Sequence, residues 1–179
     1  MAKCKAGTIT LPLDATGSAT LTTAMVDDGS NDNCSSVTLS LSQMAFGCAG
    51  LPGTHIVTLT VTDAATHTAT CTATIDVVDN IAPQILCPGN KTVTTNMGCT
   101  AVNIADIGVI ADPNGLPLSA GQYLDNCGVT SVSWQLSGIT TGSGLGSLPV
   151  ATAFNKGVTT VTYTVADLAG QQCQCATSR

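Results

Sequence analysis

The chain has 179 residues, with five Lys and Arg against eleven acidic residues, and its net charge of −6 argues against binding a nucleic-acid backbone. Only 3% of the residues are aromatic, so the large rings that fill most cores are scarce, and nine cysteines offer disulfides as the alternative source of stability. No apolar run reaches the roughly 20 residues of a bilayer-spanning helix.

About one residue in six is Thr, every acidic residue is Asp, and Glu is absent, a composition that favours strands and turns over helices. Residues 8–13 and 18–26 read as strands across a turn at Asp14-Ala15-Thr16-Gly17. Val37, Leu39 and Leu41 alternate with Thr38, Ser40 and Ser42, the period of a half-buried strand. Val57, Leu59 and Val61 repeat that pattern with Thr between them. Ala73, Ile75 and Val77 alternate with Thr72, Thr74 and Asp76, which sets Cys71 on the apolar phase. Asp79-Asn80-Ile81-Ala82-Pro83 breaks the alternation. A first module over 1–79, a linker over 80–86 and a second module over 87–179 follow.

In the second module, a strand is expected at 91–95, a turn at Asn96-Met97-Gly98 and a strand from Cys99 to Ala105. Further strands are expected from Ser131 to Leu136, over 158–166 and from near Cys173, the last of them truncated relative to its counterpart. A truncated final strand would leave an unpaired edge open to strand addition from another chain. The long segments 106–124 and 137–149 read as loops, where recognition usually sits.

The two modules are diverged copies. Gly53 and Gly157, Asp63 and Asp167, and Cys71 and Cys175 share one offset of 104 positions. Asp32-Asn33-Cys34 and Asp125-Asn126-Cys127 are offset by 93, so the second copy has gained 11 residues between these elements. Short alternating strands at this spacing predict an all-β chain of two tandem sandwiches. Repetition suits length and strength better than a unique catalytic pocket. The cysteine density without CxxC pairs points to an oxidising, extracellular compartment. Met1-Ala2-Lys3-Cys4 leads straight into strand-like sequence without a secretory signal, which points to a mature form or a piece of a secreted protein.

Several segments carry a family resemblance: Cys87-Pro88, Cys99-Thr100-Ala101-Val102, Asp125-Asn126-Cys127, Gly157 to Tyr163 and Asp167-Leu168-Ala169-Gly170. Together they resemble the hyalin repeat (HYR). The first module is similar to HYR-like repeats of long bacterial surface proteins through Lys3-Cys4-Lys5, Asp32-Asn33-Cys34, Phe46-Gly47-Cys48 and Val57 to Asp63. The resemblance implies disulfide-stapled immunoglobulin-like modules, a role in adhesion or extracellular scaffolding, and no enzyme activity. Thr66-His67 stands where the family usually has Gly-Asn, so that turn is expected to differ.

The immunoglobulin-like path implied by the resemblance pairs Cys4 with Cys34 and Cys87 with Cys127 at one pole, and Cys48 with Cys71 and Cys99 with Cys175 between sheets. Four cysteines permit three connectivities in each module, and the alternatives stay open. Cys173 has no counterpart in the first module. It reads as a buried free thiol or an alternative partner for Cys99, with a bond to another chain as the sharper reading.

Asp76 to Pro83 is similar to the calcium-binding linker of cadherins, which makes calcium the one cofactor to weigh, with Asp63, Asp79 and Asn80 as ligands at a module junction. The competing reading is ordinary turn chemistry. Asn90-Lys91-Thr92 is the better glycosylation triplet, since Asn33-Cys34-Ser35 would compete with a disulfide. His55 and His67 read as exposed polar residues.

The leading function is an extracellular structural or adhesive repeat segment, a stiff spacer or a subunit of a cell-surface filament. Its expected partners are neighbouring copies or modules, with surface glycans or proteins as further ones. The alternative is a calcium-dependent or carbohydrate-binding module that uses 106–124 and 137–149, with Tyr123 or Trp134 as a stacking platform. Trp134 alternates with Val132 and Leu136, which favours core packing for it.

Overall fold

The computed structural model describes residues 1–33, 36–51, 53–85, 89–94, 100–101, 125–149 and 151–178. The chain is nearly all β among the described residues, carries disulfides, and divides into two compact units, Met1–Asn80 and Ile81–Arg179, each with its own β-sheets.

In the first unit, β1 (Thr8–Pro12), β6 (Thr68–Val78), β5 (Gly53–Thr62) and β3 (Thr38–Leu41) form one sheet in that order. β2 (Ser18–Thr20) pairs with β4 (Ala45–Gly47) in a second sheet. The long hairpin of β5 and β6 follows from its alternation: Val57 faces Ala73 and Leu59 faces Cys71 on one side, while Thr58 faces Thr72 and Thr60 faces Thr70 on the other. Val57, Leu59, Val61, Ala73, Ile75 and Val77 are buried, together with Leu11, Leu13, Leu21, Val26 and Phe46. Paired β-branched threonines on the outer face suit a pleated, solvated surface. β1 runs parallel to the end of β6, from Thr8 beside Thr74 to Pro12 beside Val78.

The expected strand over 18–26 is shorter than the sequence pattern implied. It ends at Thr20, and Thr23–Val26 forms a single helical turn that drops Val26 fully into the core. β4 had no alternating signature to announce it, because it is only three residues long.

In the second unit, β12 (Gln172–Ser178), β11 (Thr159–Asp167), β8 (Val129–Gly138) and β9 (Gly142–Leu145) form one sheet, and β10 (Phe154–Asn155) pairs with β7 (Thr100–Ala101). Its core joins Leu136, Leu148, Phe154, Val161 and Tyr163, with Val132, Trp134 and Cys175 packed against it. The expected strand at 91–95 is absent over its described residues, 91–94. The turn at 96–98, the segment 106–124 and nearly all of the strand expected from Cys99 lie outside the described residues.

The segment 137–149 is not simply a loop. Gly142–Leu145 pairs antiparallel with β8, placing Gly144 opposite Trp134 and Gly142 opposite Leu136. A Cβ on Gly144 would lie 2.6 Å from Cζ2 of Trp134, so the strand approaches the indole as only glycine permits. Trp134 therefore packs between the core and a neighbouring glycine strand.

Candidate functional site: a staple and an aspartate pole

Cys4 is bonded to Cys71, with Cα atoms 5.8 Å apart and 67 positions between them in sequence. This corrects both first-module pairings expected above, Cys4 with Cys34 and Cys48 with Cys71. The cause is the path of residues 3–5. The Lys5 amide donates to Val26 O at 2.8 Å and the Asp28 amide to Lys3 O at 2.9 Å, so this segment lies along the chain that follows the helical turn. Cys4 thus sits where the inward-facing Cys71 of β6 can meet it. Lys3 adds an ion pair to Asp28 at 2.7 Å on the surface. Cys48, Cys127 and Cys175 are also disulfide-bonded. Cys34, Cys87 and Cys99 lie outside the described residues. Cys173 is a free, partly buried thiol on β12.

The second feature is a pole where two aspartates converge, and the repeat places it in both units. In the first unit, Asp32 and Asp63 line one cavity of about 110 Å³ together with His67, Val61 and Val37. Asp63 closes the turn between β5 and β6. Its Oδ1 accepts the Ala65 amide at 2.8 Å and the His67 amide at 2.9 Å, and its Oδ2 lies 3.0 Å from His67 Nδ1. Burial pulls the Asp63 pKa up, but the His67 and Ala65 hydrogen bonds and the His67 charge outweigh it and hold the carboxyl below its ordinary value.

In the second unit, the corresponding residues are Asp125 and Asp167, whose carboxylates approach within 4.8 Å. Asp167 is only 3% exposed. Its Oδ1 accepts the Gln171 amide at 2.8 Å, while its Oδ2 is buried with no hydrogen-bond partner among the described residues. Asp125 accepts the Cys127 amide at 2.9 Å. Two full charges this close repel by about 3 kcal/mol at an effective dielectric of about 20, a repulsion that a cation between them would relieve. Sequence reasoning singled out Asp63 as a ligand and passed over Asp32, Asp125 and Asp167. The signal was in the repeat, since both conserved-offset elements carry an aspartate.

The proposed ligand set of Asp63, Asp79 and Asn80 does not come together. Asp63 precedes β6 and Asp79 follows it, so an 11-residue strand, roughly 35 Å at the rise of a β-strand, separates them. Asp79 is buried at 5% exposure directly after β6, and Asn80 is exposed beyond it. Asn90 is exposed, as a glycan acceptor must be. His67 is exposed, but His55 is not a free surface residue: its ring meets Phe46 edge-on at 5.3 Å, and Nε2 lies 3.3 Å from Gly50 O. Tyr123 lies outside the described residues.

The turn at Thr66-His67 keeps the shape that glycine gives its counterpart. Thr66 has φ of 69°, in the left-handed region, and Gly170 at the corresponding position has φ of 85°. In both turns the aspartate amide donates to the carbonyl four residues on, Asp63 to His67 and Asp167 to Gln171, each at 3.1 Å.

No family model matches the chain. No curated protein matches it either. Among solved structures, it is similar to the protocadherin GammaB4 extracellular domain at 14% identity, over 99% of this chain and 31% of that one, with a TM-score of 0.34. PcdhgB3 EC1-4 is similar at 13% identity, over 99% of this chain and 49% of that one, with a TM-score of 0.29. The chain thus spans less than half the length of either structure.

Proposed function

We propose that this chain is a structural and adhesive segment of an extracellular, HYR-like repeat protein, acting as a spacer or as a subunit of a cell-surface filament. The observation that carries this reading is the Cys4–Cys71 bond. Load entering before Cys4 passes through the two sulfurs to Cys71 and leaves along β6, so residues 5–70 lie outside the load path. The parallel ladder of β1 on β6 is a second restraint on the same strand. A covalent staple of this kind persists in oxidising surroundings, which supports an extracellular or cell-surface location. No helix among the described residues is long and apolar enough to cross a membrane. Neighbouring copies or modules are the proposed partners. Stretching the oxidised chain by its two ends tests the reading: the first unit is expected to keep residues 4–71 closed, and its extension to full contour length without reduction would overturn it.

A second reading, divalent-cation binding, is favoured by the aspartate pole of the second unit. Hard oxygen ligands such as the Asp125 and Asp167 carboxylates suit calcium. A cation would relieve the repulsion between them and satisfy the buried Asp167 oxygen. Thermal unfolding in calcium and in EDTA tests it. Calcium should raise the midpoint of the second unit, and Asp167→Asn should abolish the rise. An equal midpoint in both solutions ends this reading.

A further inference from the structure

β9 lies within the stretch where the second copy has gained 11 residues. It adds a strand beyond β8, whereas the first unit's sheet stops at β3. The Gly146 amide donates to Val132 O at 2.8 Å, one step beyond the pair of Ser133 and Leu145. Hydrogen-bonded pairs alternate along an antiparallel ladder, so the backbone groups of Gly142 and Gly144 turn toward β8 and those of Ser143 and Leu145 turn away. No described strand pairs with that far side. Gly142 and Ser143 are exposed, and Leu145 is 84% exposed. Edges are ordinarily guarded by charge, proline or a bulge. β9 has no charge and no proline, and its register with β8 runs unbroken.

Charge says what meets this edge. No residue from Asn126 to Asn155 is charged. The first unit carries two lysines against seven aspartates, a net −5, and the second carries three basic residues against four aspartates, a net −1. Two copies therefore repel through their first units, and the uncharged β8–β9 hairpin is where they approach at least electrostatic cost. A strongly charged partner finds nothing complementary there.

We propose that β9 pairs antiparallel with β9 of a second copy of this chain about a two-fold axis. With Ser143 of one copy opposite Leu145 of the other, the outward amides and carbonyls match in reciprocal hydrogen-bonded pairs, and the two four-stranded sheets join across the contact. Four residues make a short ladder, so the contact is weak and reversible, suited to lateral association of many copies. It rests on the reading of neighbouring copies as partners and is independent of the Cys4–Cys71 staple.

The test is sedimentation velocity of the intact chain from micromolar to millimolar concentration, with amide hydrogen exchange followed at both ends of the range. The sedimentation coefficient is expected to rise with concentration. Exchange at Ser143 and Leu145 should slow several-fold, while Gly142 and Gly144, already bonded to β8, stay unchanged. Leu145→Lys sets like charges against each other across the contact and should abolish the rise. Leu168→Lys, the same charge on an exposed residue just past β11, should leave it intact. A chain that stays monomeric at millimolar concentration overturns the proposal, as does association without slowed exchange at Ser143 and Leu145. Association that persists in Leu145→Lys overturns this edge while keeping neighbouring copies as partners through another surface. If Leu145→Lys does not fold, exchange in the unaltered chain still decides.

Discussion

Replacing Thr66 by glycine should stabilise the first unit. A residue with a Cβ in the left-handed region costs about 1–2 kcal/mol, and β-branched Thr66 sits there at φ of 69°; its amide donates to Asp63 O at 3.2 Å, a backbone bond that glycine keeps. Glycine removes the cost but adds unfolded-chain entropy worth about 0.4–1 kcal/mol. The net gain is about 1 kcal/mol. The turn itself survives the change, because it is held by backbone groups and by the Asp63 carboxylate. For a domain of 60–100 residues, 1 kcal/mol moves Tm by about 4–8 °C. Differential scanning calorimetry of the full chain reads this as an upward shift of the first unit's transition with the second unit's unchanged. The mirror substitution, Gly170→Thr, should lower the second unit's transition by a similar amount. A neutral or destabilising Thr66→Gly would refute the reasoning, since it would mean that the turn does not hold Thr66 in the left-handed region in solution.

Three further outcomes follow from the same geometry. Burial raises the Tyr163 pKa from 10 to about 12; the unfolded chain therefore ionises first, and the second unit should lose stability as pH climbs from 10 toward 12, with phenolate absorbance appearing alongside unfolding. Gly144→Ala should destabilise the second unit by about 1–3 kcal/mol, the usual cost of overpacking, and should red-shift the emission of Trp134, the sole tryptophan, as its ring is displaced. In acid, side-chain and backbone hydrogen bonds from Thr16 depress the pKa of Asp14, those from Ser30 depress Asp27, and the turn depresses Asp63 despite burial. Their contribution is present above the unfolded value of 3.8 and is lost as pH falls through the lower folded values, so urea midpoints of the first unit should drop below about pH 4.

Sequence alternation was legible where chemistry alternates. From Val57 to Val61 and from Cys71 to Val77, every apolar residue faces in and every Thr faces out, so the β5–β6 hairpin and the inward phase of Cys71 could be read directly. The partner of Cys71 could not, because it depends on hydrogen bonds from Lys5 to Val26 and from Asp28 to Lys3 that no local pattern encodes. β9 was hidden for a different reason. Gly142 to Leu145 has no strand alternation of its own, and Trp134 across the ladder supplies the side chain that Gly144 lacks. The aspartate pole was half visible. The repeat marked Asp63 and Asp167 as equivalent, but only the fold brings Asp125 within 4.8 Å of Asp167 and Asp32 into the cavity of Asp63.

The most direct measurement of the central claim is the contour length released when the full chain is stretched by its ends under oxidising conditions. The Cys4–Cys71 bond spans 67 positions, which at 3.3–3.6 Å per extended residue is about 220–240 Å of hidden chain. The unaltered protein should withhold that length from the first unit, and a Cys4→Ala, Cys71→Ala double variant should release it apart from any stretch that the Cys48 disulfide still holds closed. Equal extensions for the two proteins would contradict the account, because the staple would then lie outside the path of the load.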